Sequence, residues 1–212
     1  MTTARHDRVG SVMDRRVFFK TGARKAAQVA YHVAGERAAQ RAKHWIRPPF
    51  ALPEVDFLIS CSRCDACIEA CPHQVLFPLA ARLGATVMGT PAMDLLNRAC
   101  RLCADWPCVA ACEPGTLELP EAEEEPLPRL AHAAIDKDSC LPYSGPECGA
   151  CAHACPVTDA LQWQGGVKPV IDVGRCTGCA MCREACIVSP KAVAITIEGK
   201  AQVSAFLFDG LD

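Results

Sequence analysis

The sequence predicts an α+β fold with little regular structure, held together by cross-links more than by an apolar core. Three observations lead there. Sixteen of the 212 residues are cysteine. Aromatics make up only 6 %, so a core of Ala, Val, Leu and Cys is thin, and something besides hydrophobic burial is expected to hold the chain. Charge is uneven: residues 1–47 hold eleven Lys/Arg against three Asp/Glu, and the remainder eleven against twenty-one. That split reads as a basic arm on an acidic body. The length allows one domain or two small ones. No apolar run approaches the roughly 18 to 20 residues a transmembrane helix needs.

The first element is the arm, residues 1–47. Arg15 to about Lys43 reads as a helix. Polar residues recur at Arg24, Gln28, His32, Glu36, Gln40 and His44, with Phe19, Ala23, Ala26, Ala30 and Val33 on the other face. Gly22 and Gly35 weaken it, and Pro48-Pro49 ends it. Asp14–Lys20, "DRRVFFK", has the paired arginines, aromatic pair and lysine of a twin-arginine export signal. Arg24 and Lys25 interrupt the apolar stretch such a signal needs, and cleavage would have to fall at the marginal triplet Val33-Ala34-Gly35. The arm is expected to be a basic amphipathic helix touching a membrane surface or a partner. Cytoplasmic retention is expected, with export by the twin-arginine route as the alternative.

The body, residues 48–212, carries every cysteine in four groups of four. Cys61, Cys64, Cys67 and Cys71 are spaced C-x2-C-x2-C-x3-C-P. Cys100, Cys103, Cys108 and Cys112 are spaced C-x2-C-x4-C-x3-C. Cys140, Cys148, Cys151 and Cys155 are spaced C-x7-C-x2-C-x3-C-P. Cys176, Cys179, Cys182 and Cys186 repeat C-x2-C-x2-C-x3-C. Disulfides need separations that cysteines two apart on a tight loop rarely offer. Structural zinc prefers two C-x2-C knuckles with a longer spacer. The spacing fits cubane [4Fe–4S] clusters: three thiolates on a short loop wrap three irons, and the fourth, at the start of a short helix, reaches across to the other cluster of a pair. All sixteen are therefore candidate metal ligands, and four [4Fe–4S] clusters are the expected cofactors.

The four groups form an imperfect repeat. The expected architecture is two bacterial-ferredoxin-like 2x[4Fe–4S] modules behind the N-terminal basic amphipathic helix. The tight first and fourth groups match best, so the outer groups are expected to pair, with Cys186 completing the first set and Cys71 the last. The inner groups would then exchange Cys155 and Cys112. Sequential pairing, first with second and third with fourth, is the alternative. Between the first two groups, a turn and a short helix near Met93–Arg98 are expected. Residues 118–129 read as an exposed acidic linker. "VKPVIDVG" reads as a strand, and "AVAITIEGKAQVSAFLF" as two strands around a glycine turn.

The body resembles the ferredoxin-type proteins NapF, NapG and MauM over about residues 46–197. The resemblance rests on "RPPFALPEVDFL", "GTPAMDLLNRACRLCADWPC", "CLPYSGPEC" and "CTGCAMCREAC"; "SRCDACIEAC" is most similar to NapF, the later motifs to NapG and MauM. It implies clusters that pass single electrons to or from a partner oxidoreductase, such as a molybdenum oxidoreductase, or a quinol-oxidising membrane protein. The alternative it implies is a cytoplasmic accessory that binds and matures a molybdenum oxidoreductase. Two positions depart from the pattern, Glu113 after Cys112 and Ile187 after Cys186, where proline is usual. These are expected to alter local turns or cluster potential, not ligation.

Nothing else suggests substrate chemistry. There is no G-x-G-x-x-G, no Walker loop and no Ser/His/Asp arrangement, so no catalytic residues are assigned and no nucleic-acid partner is expected. His73, His132 and His153 lie near the groups and read as surface or supporting residues. Trp106, Trp163 and Tyr143 are expected to pack against clusters.

Overall fold

A computed structural model describes residues 25–26, 29–30, 33, 36–37, 45–120 and 127–197. In the arm, residues 25, 26, 29, 30, 33, 36 and 37 are helical. The rest of the helix expected from Arg15 to Lys43, the export-like stretch, most of the acidic linker and the last expected strand lie outside the described residues.

The body consists of short elements, as a chain broken by turns dictates. In order they are helix α1 (Glu54–Ser60), helix α2 (Ala66–Glu69), strand β1 (Leu76–Pro78), a 3-10 turn (Ala81–Leu83), strand β2 (Pro91–Met93) and helix α3 (Pro107–Ala110). There follow β3 (His132–Ile135), α4 (Leu141–Ser144), β4 (Leu161–Gln164), β5 (Lys168–Ile171), α5 (Met181–Ala185) and β6 (Val193–Thr196). The strands form three antiparallel pairs: β1 with β2, β4 with β5, and β3 with β6. The strand expected in "VKPVIDVG" is β5, and the first of the two expected near the C-terminus is β6. The helix expected near Met93–Arg98 is not formed. Pro91–Met93 is extended against β1, and one turn, closed by the Arg98 N–H on the Asp94 carbonyl at 3.1 Å, follows it.

Two halves share one plan. In the second, β3 and β6 pair the entry and exit of the segment, and the β4–β5 hairpin sits between its two cysteine groups. In the first, the bridge between Ala51 and Leu117 pairs entry with exit, and the β1–β2 hairpin lies between the groups. Leu52 N–H donates to the Thr116 carbonyl at 3.0 Å and Glu118 N–H to that of Phe50 at 3.0 Å, fastening the closure.

Among the described residues the main core has nineteen buried ones, six of them cysteines and four alanines. Phe57 on α1 is fully buried in it. Beside it Arg47 joins the N-terminal edge to the body. Its Nη2 and Nε donate to Glu54 at 2.6 and 2.9 Å, and its Nη1 to Thr90 Oγ1 at 2.9 Å and the Pro91 carbonyl at 2.8 Å. The guanidinium lies 4.4 Å from the Phe57 ring centroid. Both ionic side chains are about nine-tenths buried. Removing one member of such a pair strands the other charge, so Arg47→Ala is expected to destabilise the protein by about 3 to 5 kcal/mol. Arg47→Met combined with Glu54→Leu, which removes both charges, is expected to cost much less. Urea unfolding of the two variants is the comparison.

Candidate metal centre

Three of the four cysteine groups are positioned by the same local device. The residue two after the first cysteine and the residue two before the third are left-handed. They are Arg63 (φ 59°) and Asp65 (φ 62°) in the first loop, Leu102 (φ 48°) and Trp106 (φ 42°) in the second, and Gly178 (φ 72°) and Ala180 (φ 68°) in the fourth. Five of these six are not glycine, and each such residue carries about 1 to 3 kcal/mol of strain that the surroundings must hold. Arg63 is held by its own side chain, which donates to the Met88 and Thr86 carbonyls at 3.0 and 3.1 Å. Left-handed residues interleaved along a loop form the backbone concavity that receives anions, including the sulfides of iron–sulfur groups. The third loop is built differently: α4 follows Cys140 directly, and Gly145 (φ 126°) turns the chain out of it.

The short helices carry the third cysteine, not the fourth. Cys67, Cys108 and Cys182 lie within α2, α3 and α5, while Cys71, Cys112 and Cys186 come at or just after their C-terminal ends. Starting the helix with the fourth cysteine, as expected from the motif, would have left no turn to swing it away from its own loop.

Two cavities sit in the first half. One, partly open to solvent, is walled by Cys61, Cys64 and Cys67 together with Cys112. The other is walled by Cys100, Cys103 and Cys108 together with Cys71. The second half repeats the exchange. Cys186 lies beside Cys140 and Cys151, and Cys155 beside Cys179 and Cys182. The pairing is therefore sequential, first group with second and third with fourth. The expected outer-with-outer pairing is corrected. Matching spacing does not bring two loops together; the hairpins between neighbouring groups do. None of the sixteen cysteines forms a disulfide.

Electrostatics explains what these sets require. Burial, then the neighbouring Cys112, Cys61 and Cys64, push the Cys67 thiol up to about 11. Burial likewise lifts Cys100 to about 11, and Cys108 and Cys182 to about 12, with adjacent thiols adding to each. Cys64 alone moves down, favoured by hydrogen bonds from Ser62 and the Ala66 N–H. Four thiolates facing one cavity are unfavourable without positive charge among them. A bound iron–sulfur group would supply it. Among the described residues no three His, Cys, Asp or Glu side chains close around a single metal ion. That is compatible with a cubane, whose four irons each take one cysteine and hold the thiolates apart.

The walls hold one feature the sequence did not flag. Thr116 is 2 % exposed, lines the first cavity, and its Oγ1 has no hydrogen-bond partner. A buried hydroxyl left unmade is costly, and a sulfur in that cavity would accept from it. Thr177, next to Cys176, is buried too, and its Oγ1 likewise has no hydrogen-bond partner. Neither stands out in sequence, since threonine is common and no motif marks it. Trp106 and His73 line the second cavity, and Trp106 meets Phe50 edge-on at 4.9 Å. Tyr143 instead donates to the Pro169 carbonyl at 2.9 Å between Lys137 and Lys168. Trp163 belongs to β4 and lines neither first-half cavity; His132 is the first residue of β3.

The chain is 34 % identical over 158 residues to the methylamine utilization ferredoxin-type protein MauM of Methylobacillus flagellatus, covering 71 % of this chain and 67 % of that one. It is 30 % identical over 204 residues to MauM of Methylophilus methylotrophus, covering 89 % and 90 %. To the ferredoxin-type protein NapG of Haemophilus influenzae it is 30 % identical over 199 residues, covering 86 % and 71 %, and to NapF of Escherichia coli 33 % over 164, covering 75 % and 88 %. No family profile matches the chain. No solved structure matches it.

Proposed function

The chain belongs to the ferredoxin-type protein family of MauM, NapG and NapF, and from that premise we propose that its sixteen cysteines hold four [4Fe–4S] clusters. The sets are Cys61, Cys64, Cys67 and Cys112; Cys100, Cys103, Cys108 and Cys71; Cys140, Cys148, Cys151 and Cys186; and Cys176, Cys179, Cys182 and Cys155. Bound clusters supply one-electron transfer. The protein is then an electron carrier without substrate chemistry of its own, serving a partner oxidoreductase. The observation that carries this reading is the crossed three-plus-one arrangement, in which each loop's three thiols are completed by the neighbouring loop's fourth.

The residues do three things in this reading. The left-handed loops present backbone N–H groups to sulfur. The apolar walls, Phe57 and Leu117 around one set and Val75, Leu76 and Trp106 around the other, exclude water. Ser62, Thr116 and Thr177 donate to sulfur. The basic arm, residues 1–47, stands ahead of the body at residues 48–212 and contacts a partner or membrane surface on the cytoplasmic side. No helix among the described residues is long and apolar enough to cross a membrane.

Anaerobically purified protein should contain about sixteen iron and sixteen sulfide per chain, four of each per cluster. About eight of each would overturn the assignment of two sets. Rapid re-oxidation of the reduced protein by a mature oxidoreductase would support the carrier role. Capture of only the apo form of such an enzyme, without electron transfer, would overturn it in favour of an accessory. Thr116→Val removes the unpartnered hydroxyl at nearly constant shape. A donor to sulfur stabilises the more negative reduced state, so the variant should lower the potential of one cluster by about 40 mV, the equivalent of a hydrogen bond worth about 1 kcal/mol. Redox titration followed by EPR reads it as one signal moving among four.

A further inference from the structure

The two halves meet at a defined place. Cys100 N–H donates to the Cys179 carbonyl at 2.9 Å. Each is a cysteine of the set nearest the junction in its own half. Two contacts clasp this point from its flanks. Arg183 on α5 donates from Nε to the Leu96 carbonyl at 3.0 Å, across the junction, and from Nη1 to the Val193 carbonyl within its own half. Arg101, next to Cys100, pairs with Glu184 at 2.7 Å. The adjacent residues Arg183 and Glu184 thus reach residues on either side of Cys100 while Cys179 meets it directly. The packing also buries Cys100 and Cys179 in one core with Ala99 and Ala180.

The other two sets supply no partner to this hydrogen bond. Cys112 lies with Cys61, Cys64 and Cys67, and Cys64 is exposed. Cys186 lies with Cys140 and Cys151. Each outer set also carries an exposed isoleucine beside a cysteine: Ile59, 74 % exposed, near Cys61, and Ile187, 70 % exposed, next to Cys186. A single peptide hydrogen bond between two cysteine residues is a short connected route between sets.

We propose that the Cys100–Cys179 hydrogen bond is the crossing between the halves, which puts the four cysteine sets in single file, with the Cys61 set at one end, the Cys140 set at the other, and the Cys100 and Cys176 sets in the middle. The order along the file is motif one, two, four, three, not the order of the sequence. This rests on the assignment of four clusters made above. The two ends, with Ile59 and Ile187 beside them, are the places where electrons enter and leave.

The full-length protein, purified and fully reduced under anaerobic conditions, tests the order. Serine replaces one cysteine per set in separate variants, Cys64→Ser, Cys103→Ser, Cys148→Ser and Cys176→Ser, so that the altered EPR signal of each set identifies it. Microwave power saturation and spin–spin splitting then show which sets are magnetic neighbours. The expected result is two neighbours for the Cys100 and Cys176 sets and one each for the Cys61 and Cys140 sets. A serine variant that loses its cluster still reports. Loss of the Cys140 set must leave the coupling between halves intact, and loss of the Cys100 set must abolish it. Coupling of the Cys61 or Cys140 set to the opposite half, at full iron content, overturns the order and leaves the cluster assignment standing. An iron content of about eight overturns both.

Discussion

Removal of iron will unfold the body of this protein. Chelation of the reduced, anaerobic protein is expected to abolish its cooperative thermal transition and the protection of its backbone amides from hydrogen exchange. The core has too little else to hold it: of nineteen buried residues in the main cluster, six are cysteines and four are alanines. Structural metal sites contribute on the order of 10 kcal/mol each to folding, against a typical total stability of about 5 to 15 kcal/mol. The loss of even one set would offset most of that total. The left-handed residues Asp65, Leu102 and Trp106 add strain that the surroundings must hold. A chelated chain that keeps the same melting transition would overturn the account.

The same sites fix the sign of the pH dependence. Burial raises Cys67 and Cys100 to about 11, and Cys108 and Cys182 to about 12, from an ordinary 9.0. These thiols are neutral in the iron-free fold. Whatever compactness that state has is present below pH 9 and is lost as pH rises toward 11 to 12, where thiolates form against one another. Iron loading runs the other way. Each thiol must release its proton to bind, so loading will acidify a weakly buffered solution and fall as pH is lowered. Titration of released protons during reconstitution measures it.

The chemistry of the site was legible in the spacing, because three thiols within seven residues can only face one small object. The topology was not. The first and fourth motifs share spacing, yet Cys71 joins Cys100, Cys103 and Cys108 because the β1–β2 hairpin folds the chain back within the first half. Loop closure over fewer residues costs less entropy, and consecutive elements tend to be neighbours; spacing encodes neither. Strand β3, His132–Ile135, was hidden because two of its four residues are alanine, and it is extended only because Val193–Thr196 pairs with it. The loop conformation was hidden for a related reason. Left-handed backbone is usually announced by glycine, and only Gly178 among the six positions announces it. Helix α1 was missed because its seven residues are too few to establish a period.

Gly178→Ala is expected to destabilise the second half by about 3 to 5 kcal/mol, combining overpacking with the strain of a left-handed alanine. Conformation is the smaller reason. Arg63 occupies the corresponding place in the first loop with nearly the same backbone, so a side chain there is tolerated in principle. The larger reason is approach. A Cβ on Gly178 would lie 2.0 Å from the Ala131 carbonyl oxygen, 2.3 Å from its carbon and 2.6 Å from its nitrogen. These are backbone atoms, held by the Leu130 N–H on the Thr177 carbonyl at 2.8 Å, and they cannot rotate away. The entry of β3 must retreat, or the Cys176–Cys182 loop must open. Either movement displaces Cys179 from Cys100. On the four-cluster assignment proposed above, the purified variant should lose about four of sixteen irons, those of the set containing Cys176, Cys179, Cys182 and Cys155, and melt lower than the parent. Arg63→Ala has the same left-handed backbone and no such contact, so it should keep all its iron and lose about 1 kcal/mol with its two hydrogen bonds. Equal iron content and equal melting in the two variants would mean that the approach of Ala131 does not constrain the fourth loop.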